Sequence, residues 1–145
     1  MARFVLVHAH LATPETGLRT HVQDICALIE AEELDDVVLV GHSYAGMVIT
    51  GVAEKMPERL RNLVYLDAVL PRHGESMLDK VGSEFSRTLK DRLERGDGPR
   101  AGVPAADFFG VFAPDDVAWL NRRLLPHPRK AYTERHEGPD NRAAG

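Results

Sequence analysis

Ser43 stands among small residues in the run Val37 to Gly51, VVLVGHSYAGMVITG. A serine hydroxyl becomes a useful nucleophile when it is held clear of its neighbours, beside donors that stabilise the charge its attack creates. This run supplies such a frame. Four apolar residues, Val37 to Val40, stop at Gly41, and an apolar helical pattern resumes at Met47, Val48 and Val52. The spacing predicts a buried strand, a sharp turn and a helix. On that turn Ser43 lies beside the free N–H groups of a helix N-terminus, which favour negative charge. This is the layout of a nucleophile elbow. So sharp a turn leaves little room two residues before and two after the serine, where Gly41 and Ala45 stand, and Gly46 adds a second small residue next door. The plainer alternative is a strand and a helix joined by an ordinary Gly-x-Ser cap, since serine is a good N-cap.

Asp67 ends the apolar run Leu60 to Leu66 and is a candidate acid; a turn carboxylate capping nearby N–H groups is the competing reading. His8 and His10 end the run Arg3 to His8. Two apart on a strand, they share a face and could bind one metal, but no spaced cluster of further ligands accompanies them, so no metal is assigned. His10 is near the serine in strand order, His73 falls in a polar turn, and His127 and His136 reach the site only if the C-terminal segment folds back. Cys26, the single cysteine, excludes an intrachain disulfide and reads as a buried structural thiol in a helix.

The elements that must position these groups follow from periodicity. Arg3 to His8 predicts a buried strand, and Leu18, Val22, Ile25, Cys26 and Ile29 predict one helix to about Glu33. With Val37 to Val40 this makes a βαβ unit and hence a parallel pair. A helix from Tyr44 to about Lys55 stops before Pro57, and Leu60 to Leu66 is the third strand. The fold class is therefore α/β, a reduced open parallel sheet of about three strands with covering helices. Ligands collect at the carboxyl ends of strands in such sheets, and that rim carries His8, His10, Ser43 and Asp67. Beyond Pro71, the positions Leu78, Val81, Phe85, Leu89 and Leu93 predict one amphipathic helix closing at Gly96, and Pro114 opens another. Residues 1–71 thus read as core, 72–125 as a helical lid and 126–145 as a flexible tail, all in one domain. Phe108, Phe109, Phe112 and Trp119 suit either a hydrophobic pocket or the core of the lid.

The 145 residues are 43% hydrophobic and 28% charged, an ordinary globular balance. A net charge of −4 gives no basic footprint for nucleic acid. No apolar run is long enough to span a bilayer, and Met1 leads straight toward a strand, so a cytoplasmic location is expected.

Three stretches, FVLVH, VVLVGHSYAGMVITGVAEKMPERLRNLVYLDAVLP and FFGVFAPDDVAWLNRRLLPHP, together resemble the α/β-hydrolase fold. Within it the chain is similar to small esterases allied to plant methylesterases and hydroxynitrile lyases. The resemblance covers nearly all of residues 3 to 133 and implies a carboxylesterase without cofactor, acting on a small ester. Ser43 would be the nucleophile, forming an acyl-enzyme, with oxyanion donors at the N–H groups of Tyr44 and His10. His42 would pack near the site and is not a base. Two departures matter. Ala9 stands where the family has glycine, and a helix and strand that normally follow are missing. The later strands bearing the family's acid and histidine have no counterpart, so substitutes are needed: Asp67 is the candidate acid and His10 the candidate base, with His73, His127 and His136 as alternatives to His10. The alternative is a weakly active or inactive remnant that serves as a binding module or is completed by homo-oligomerisation through open sheet edges.

Overall fold

The computed structural model describes residues 13–138 except 97 and 99. The expected first strand, Arg3 to His8, and with it His8 and His10, lies outside the described residues. Two strands form the sheet among those described, β1 (Val37–Ser43) and β2 (Leu60–Ala68). They pair in parallel, Val40 opposite Val64 and Ser43 opposite Ala68, with an irregularity between His42 and Ser43. Both strands run further than their apolar stretches suggest, because pairing carries them through the polar residues His42, Ser43 and Asp67.

Helix α1 (Leu18–Ala31) is anchored at its start by the Thr20 hydroxyl, which accepts from the Gly17 N–H at 3.2 Å. Its buried face is Leu18, His21, Val22 and Ile29, three and four apart as a helix stripe requires. Helix α2 (Ala45–Lys55) buries Met47, Val48, Ile49 and Val52 and ends before Pro57. Helix α2 covers one face of the sheet and α1 packs against α2, and the two form the core with Met56, Met77, Leu89, Leu93 and Tyr132. The other face is open. Val38 is 51% exposed, Val40 56% and Leu66 60%, against the expectation of strands buried on both sides. Parallel strands are normally covered on both faces, and among the described residues no layer lies over this one.

The lid departs from its expected form. In place of one helix there are two, α3 (Met77–Lys80) and α4 (Ser83–Arg95), because Val81 and Gly82 adopt extended backbone between them. Helix α3 begins where Ser76 and Asp79 cap each other, the Ser76 N–H donating to the Asp79 carboxylate at 2.9 Å. Helix α4 stops at Gly96 as expected and buries Leu89 and Leu93. A 3-10 turn over Ala106–Phe109 and helix α5 (Pro114–Asn121) follow; α5 buries nothing, and Phe112 and Trp119 are exposed.

The expected flexible tail is in fact packed through residue 138. Helix α6 (Lys130–Thr133) buries Ala131 and Tyr132, and His136 is only 4% exposed. His136 Nε2 lies 2.9 Å from Glu54 Oε1 on α2, and its backbone exchanges hydrogen bonds with Gly74 and Glu75. The apolar anchors here are too few and too closely spaced to leave a periodic signal in the sequence.

Candidate active site

Ser43 is the last residue of β1 and has φ +53°. Among non-glycine residues that left-handed conformation is uncommon. The chain leaves the strand there and enters α2 at once through Tyr44 (φ −54°, ψ −33°). Two glycines permit the turn. A Cβ on Gly41 would stand 2.8 Å from the Ala45 carbonyl oxygen, and one on Gly46 only 2.3 Å from that of Val69. The stricter contact is therefore at Gly46, where α2 presses on the chain leaving β2, while Ala45 tolerates its methyl. The Val69 N–H donates to the Ser43 carbonyl at 2.9 Å and ties the two strand ends together.

Ser43 opens on a cleft of about 480 Å³. Asp67 and residues 68–70 form one side of it, and Met77, Lys80, Val81 and Phe85 form the other. The walls are mainly apolar with two charges at the edges. Asp67 is exposed, with φ +43°. Lys80, which sequence reasoning did not single out, pairs with Glu75 at 3.2 Å. Among the described residues neither Ser43 nor Asp67 makes a side-chain hydrogen bond, and no histidine lines the cleft. The aromatic residues Phe108, Phe109, Phe112 and Trp119 do not line it either, and they are too exposed to be lid core.

The described histidines are placed elsewhere. His42 is exposed, His73 Nδ1 lies 2.8 Å from the Gly138 carbonyl, and His136 is held by Glu54. His10, the candidate base and second oxyanion donor, lies outside the described residues. His127 does fold back toward the elbow, but onto the side of Tyr44 away from the cleft. Its ring is 5.0 Å from that of Tyr44 and 4.8 Å from that of Tyr132. Burial holds its pKa down to about 4, with the nearby His21 and Arg92 adding to the effect. His21, also lowered by burial, places Nδ1 2.8 Å from the Tyr44 hydroxyl. Burial raises the Tyr44 phenol well above its ordinary value, so the cluster is neutral near pH 7. Its one sequence signal is His21 itself, a polar residue on the apolar stripe of α1.

Tyr44 N–H, the expected oxyanion donor, has no acceptor among the described residues. No group of three or more metal-ligating side chains occurs among them, and no described helix is long and apolar enough to cross a membrane.

A strand, a left-handed serine and a helix at the rim of a parallel sheet define an α/β-hydrolase core, and the chain belongs to the alpha/beta hydrolase family, whose model matches residues 8–143. Its relatives include a carbendazim hydrolyzing esterase from Nocardioides sp. (strain SG-4G), 43% identical over 133 residues, which cover 86% of this chain and 54% of that one. Methylesterase 1 of Arabidopsis thaliana is 43% identical over 54 residues, 35% of this chain and 20% of its own. Among solved structures, an extracellular α/β-hydrolase from a Paenibacillus species, described as sharing homology with tobacco salicylic acid binding protein 2, superposes with a TM-score of 0.76. It is 21% identical, and the match covers 86% of this chain and 53% of that one. A mutant of polyneuridine aldehyde esterase gives a TM-score of 0.55 at 16% identity, covering 87% and 56%. The chain thus spans about half the length of the relatives it matches.

Proposed function

We propose that the chain is a serine hydrolase acting on small carboxylic esters. The carrying observation is the left-handed Ser43 at the strand-to-helix turn, facing a cleft it shares with Asp67. In this reading the Ser43 hydroxyl attacks the ester carbonyl and loses its proton to a base, for which His10 is the candidate. The tetrahedral oxyanion is met by the N–H groups of Tyr44 and His10. Collapse expels the alcohol, which takes up a proton, and leaves an acyl-serine that water cleaves. Asp67 supports the imidazolium that forms. The apolar walls suit a small hydrophobic acyl or alcohol group, and the name of the Nocardioides relative makes carbendazim a compound to assay.

A second reading is favoured by the absence of any histidine from the cleft among the described residues and by the open sheet face. In it the chain is a partial hydrolase, slow or inactive alone and completed by another chain. Hydrolysis of p-nitrophenyl acetate by the wild type and by Ser43→Ala separates the two. Turnover lost in the variant supports the esterase. A stoichiometric burst without turnover supports the partial hydrolase, with acylation possible and deacylation lost. Equal rates in both proteins would remove Ser43 as nucleophile.

A further inference from the structure

The residue after the nucleophile is unusually well tethered for a turn residue, and the tether comes from outside the cleft. Tyr44 does not line the cleft; its ring is set instead among three others. The centroid of His21 is 5.7 Å away at 81°, that of His127 5.0 Å away at 78°, and that of Tyr132 6.2 Å away at 68°. All three contacts are edge-on, a favourable arrangement for aromatic pairs. Ring packing alone leaves a phenol free to slide, whereas a hydrogen bond at its tip fixes both direction and depth. That bond comes from His21, 3% exposed on α1, whose Nδ1 is 2.8 Å from the Tyr44 hydroxyl.

We infer that His21 is a positioning residue for the turn that carries Ser43, acting through the side chain of Tyr44. Ser43 and Tyr44 occupy opposite hands of backbone space within one peptide unit, φ +53° followed by φ −54°. The carbonyl of the peptide between them accepts from the Val69 N–H at 2.9 Å, which anchors that peptide to the chain leaving β2. The phenol, locked to α1 at its far end, supplies a second anchor through the Tyr44 side chain. Buried neutral imidazole and phenol suit this contact, since either can donate and the other accept, and neither brings an uncompensated charge into the core. The link between this contact and catalysis rests on the proposal that Ser43 is the nucleophile; the contact itself does not.

The test combines ¹⁵N relaxation at the Tyr44 amide with steady-state ester hydrolysis, in the wild type, His21→Leu, His21→Asn, Tyr44→Phe and the Leu/Phe double variant. The amide of asparagine overlays the Nδ1 side of imidazole, so His21→Asn keeps the hydrogen bond while removing the ring. The Tyr44 amide should be rigid in the wild type and His21→Asn, with an order parameter of about 0.85, and fall toward about 0.6 in His21→Leu and Tyr44→Phe. In the last two kcat should drop about ten-fold or more at unchanged KM, because an oxyanion donor acts in the transition state. The double variant should be no worse than either single one. Equal order at Tyr44 in all five proteins overturns the inference, as does His21→Asn behaving like His21→Leu, which would reduce the role of His21 to filling volume. Should His21→Leu fail to fold, Tyr44→Phe removes only the hydroxyl and gives the same readout. If Ser43→Ala hydrolyses the ester as fast as the wild type, the nucleophile proposal falls by itself and the relaxation data alone decide the role of His21.

Discussion

Ser43 carries strain that glycine would not. At φ +53° its Cβ crowds the following carbonyl, a conflict of about 1–2 kcal/mol for an L-residue outside glycine. Part of that would be offset in a glycine variant by the greater freedom of its unfolded chain. Ser43→Gly is therefore expected to stabilise the fold by up to about 1 kcal/mol, read as a higher urea midpoint at unchanged slope, while ester hydrolysis is lost. A lower midpoint would show that the serine side chain contributes to packing and would weaken the case for retained functional strain. Asp67 presents the same conformation at the end of β2, φ +43°, so both residues proposed for the chemistry sit where backbone geometry is least comfortable. The position of Ser43 could be read from sequence because the pattern that marks the turn, the apolar strand, Gly41, Ala45, Gly46 and the start of the helix, lies close around it in the chain. The tether at His21 could not, since Tyr44 is 23 positions away and meets it only through tertiary packing.

Elements rather than residues explain what the sequence left hidden. Helix α1, the parallel pairing and helix α2 were all legible because each has a long apolar period that local propensity supports. The break between α3 and α4 was not, because Val81 continues the apolar spacing while Gly82 lets the backbone leave the helix. Nor was the docking of residues 126–138, which is carried by Tyr132, Ala131 and His136, with a polar contact from His136 to Glu54 on α2 and several from His136, Arg135 and Gly138 to the start of the lid. That segment introduces a pH dependence through His127. The ring is faced by His21 from α1 and Arg92 from α4, both opposing its protonation, and by the neutral rings of Tyr44 and Tyr132. Its folded pKa of about 4 lies below the ordinary 6.5 of an unfolded histidine. The unfolded chain therefore binds the extra proton first, and stability falls as pH drops from about 6.5 toward about 4. At about 1.4 kcal/mol per unit the loss reaches a ceiling of about 3 kcal/mol. Urea unfolding across that range should show the loss in the wild type and a flatter profile in His127→Phe, beyond what the carboxylates common to both proteins produce. Parallel profiles would mean that this imidazole titrates in the folded state much as it does in the unfolded chain.

At the scale of the whole molecule, the sheet is the part with unfinished business. Val38 and Val40 on β1 and Val64 and Leu66 on β2 stand side by side on the face opposite α2, all more than 40% exposed. A contiguous apolar patch of this kind is unusual on a stable monomer, and parallel strands are rarely left wet on one side. The chain also spans only 54% of its Nocardioides relative. Together these observations predict that the chain alone self-associates, burying the patch against a second copy. Light scattering after size exclusion, at micromolar to tens of micromolar concentration, should then give a mass above that of one chain. The double variant Val40→Lys, Leu66→Lys should return the mass to that of a monomer with unchanged far-UV circular dichroism, since both side chains point away from the core and two facing ammonium groups repel a like surface. Because Ser43 ends the same strand as Val40, the variant also separates the two functional readings. If hydrolysis is lost on dissociation, the site is completed across the interface. If it persists in the monomer, the cleft under α3 and α4 is sufficient by itself. A wild type that runs as a strict monomer over this concentration range would end the self-association proposal and leave the open sheet face as a surface the isolated chain tolerates.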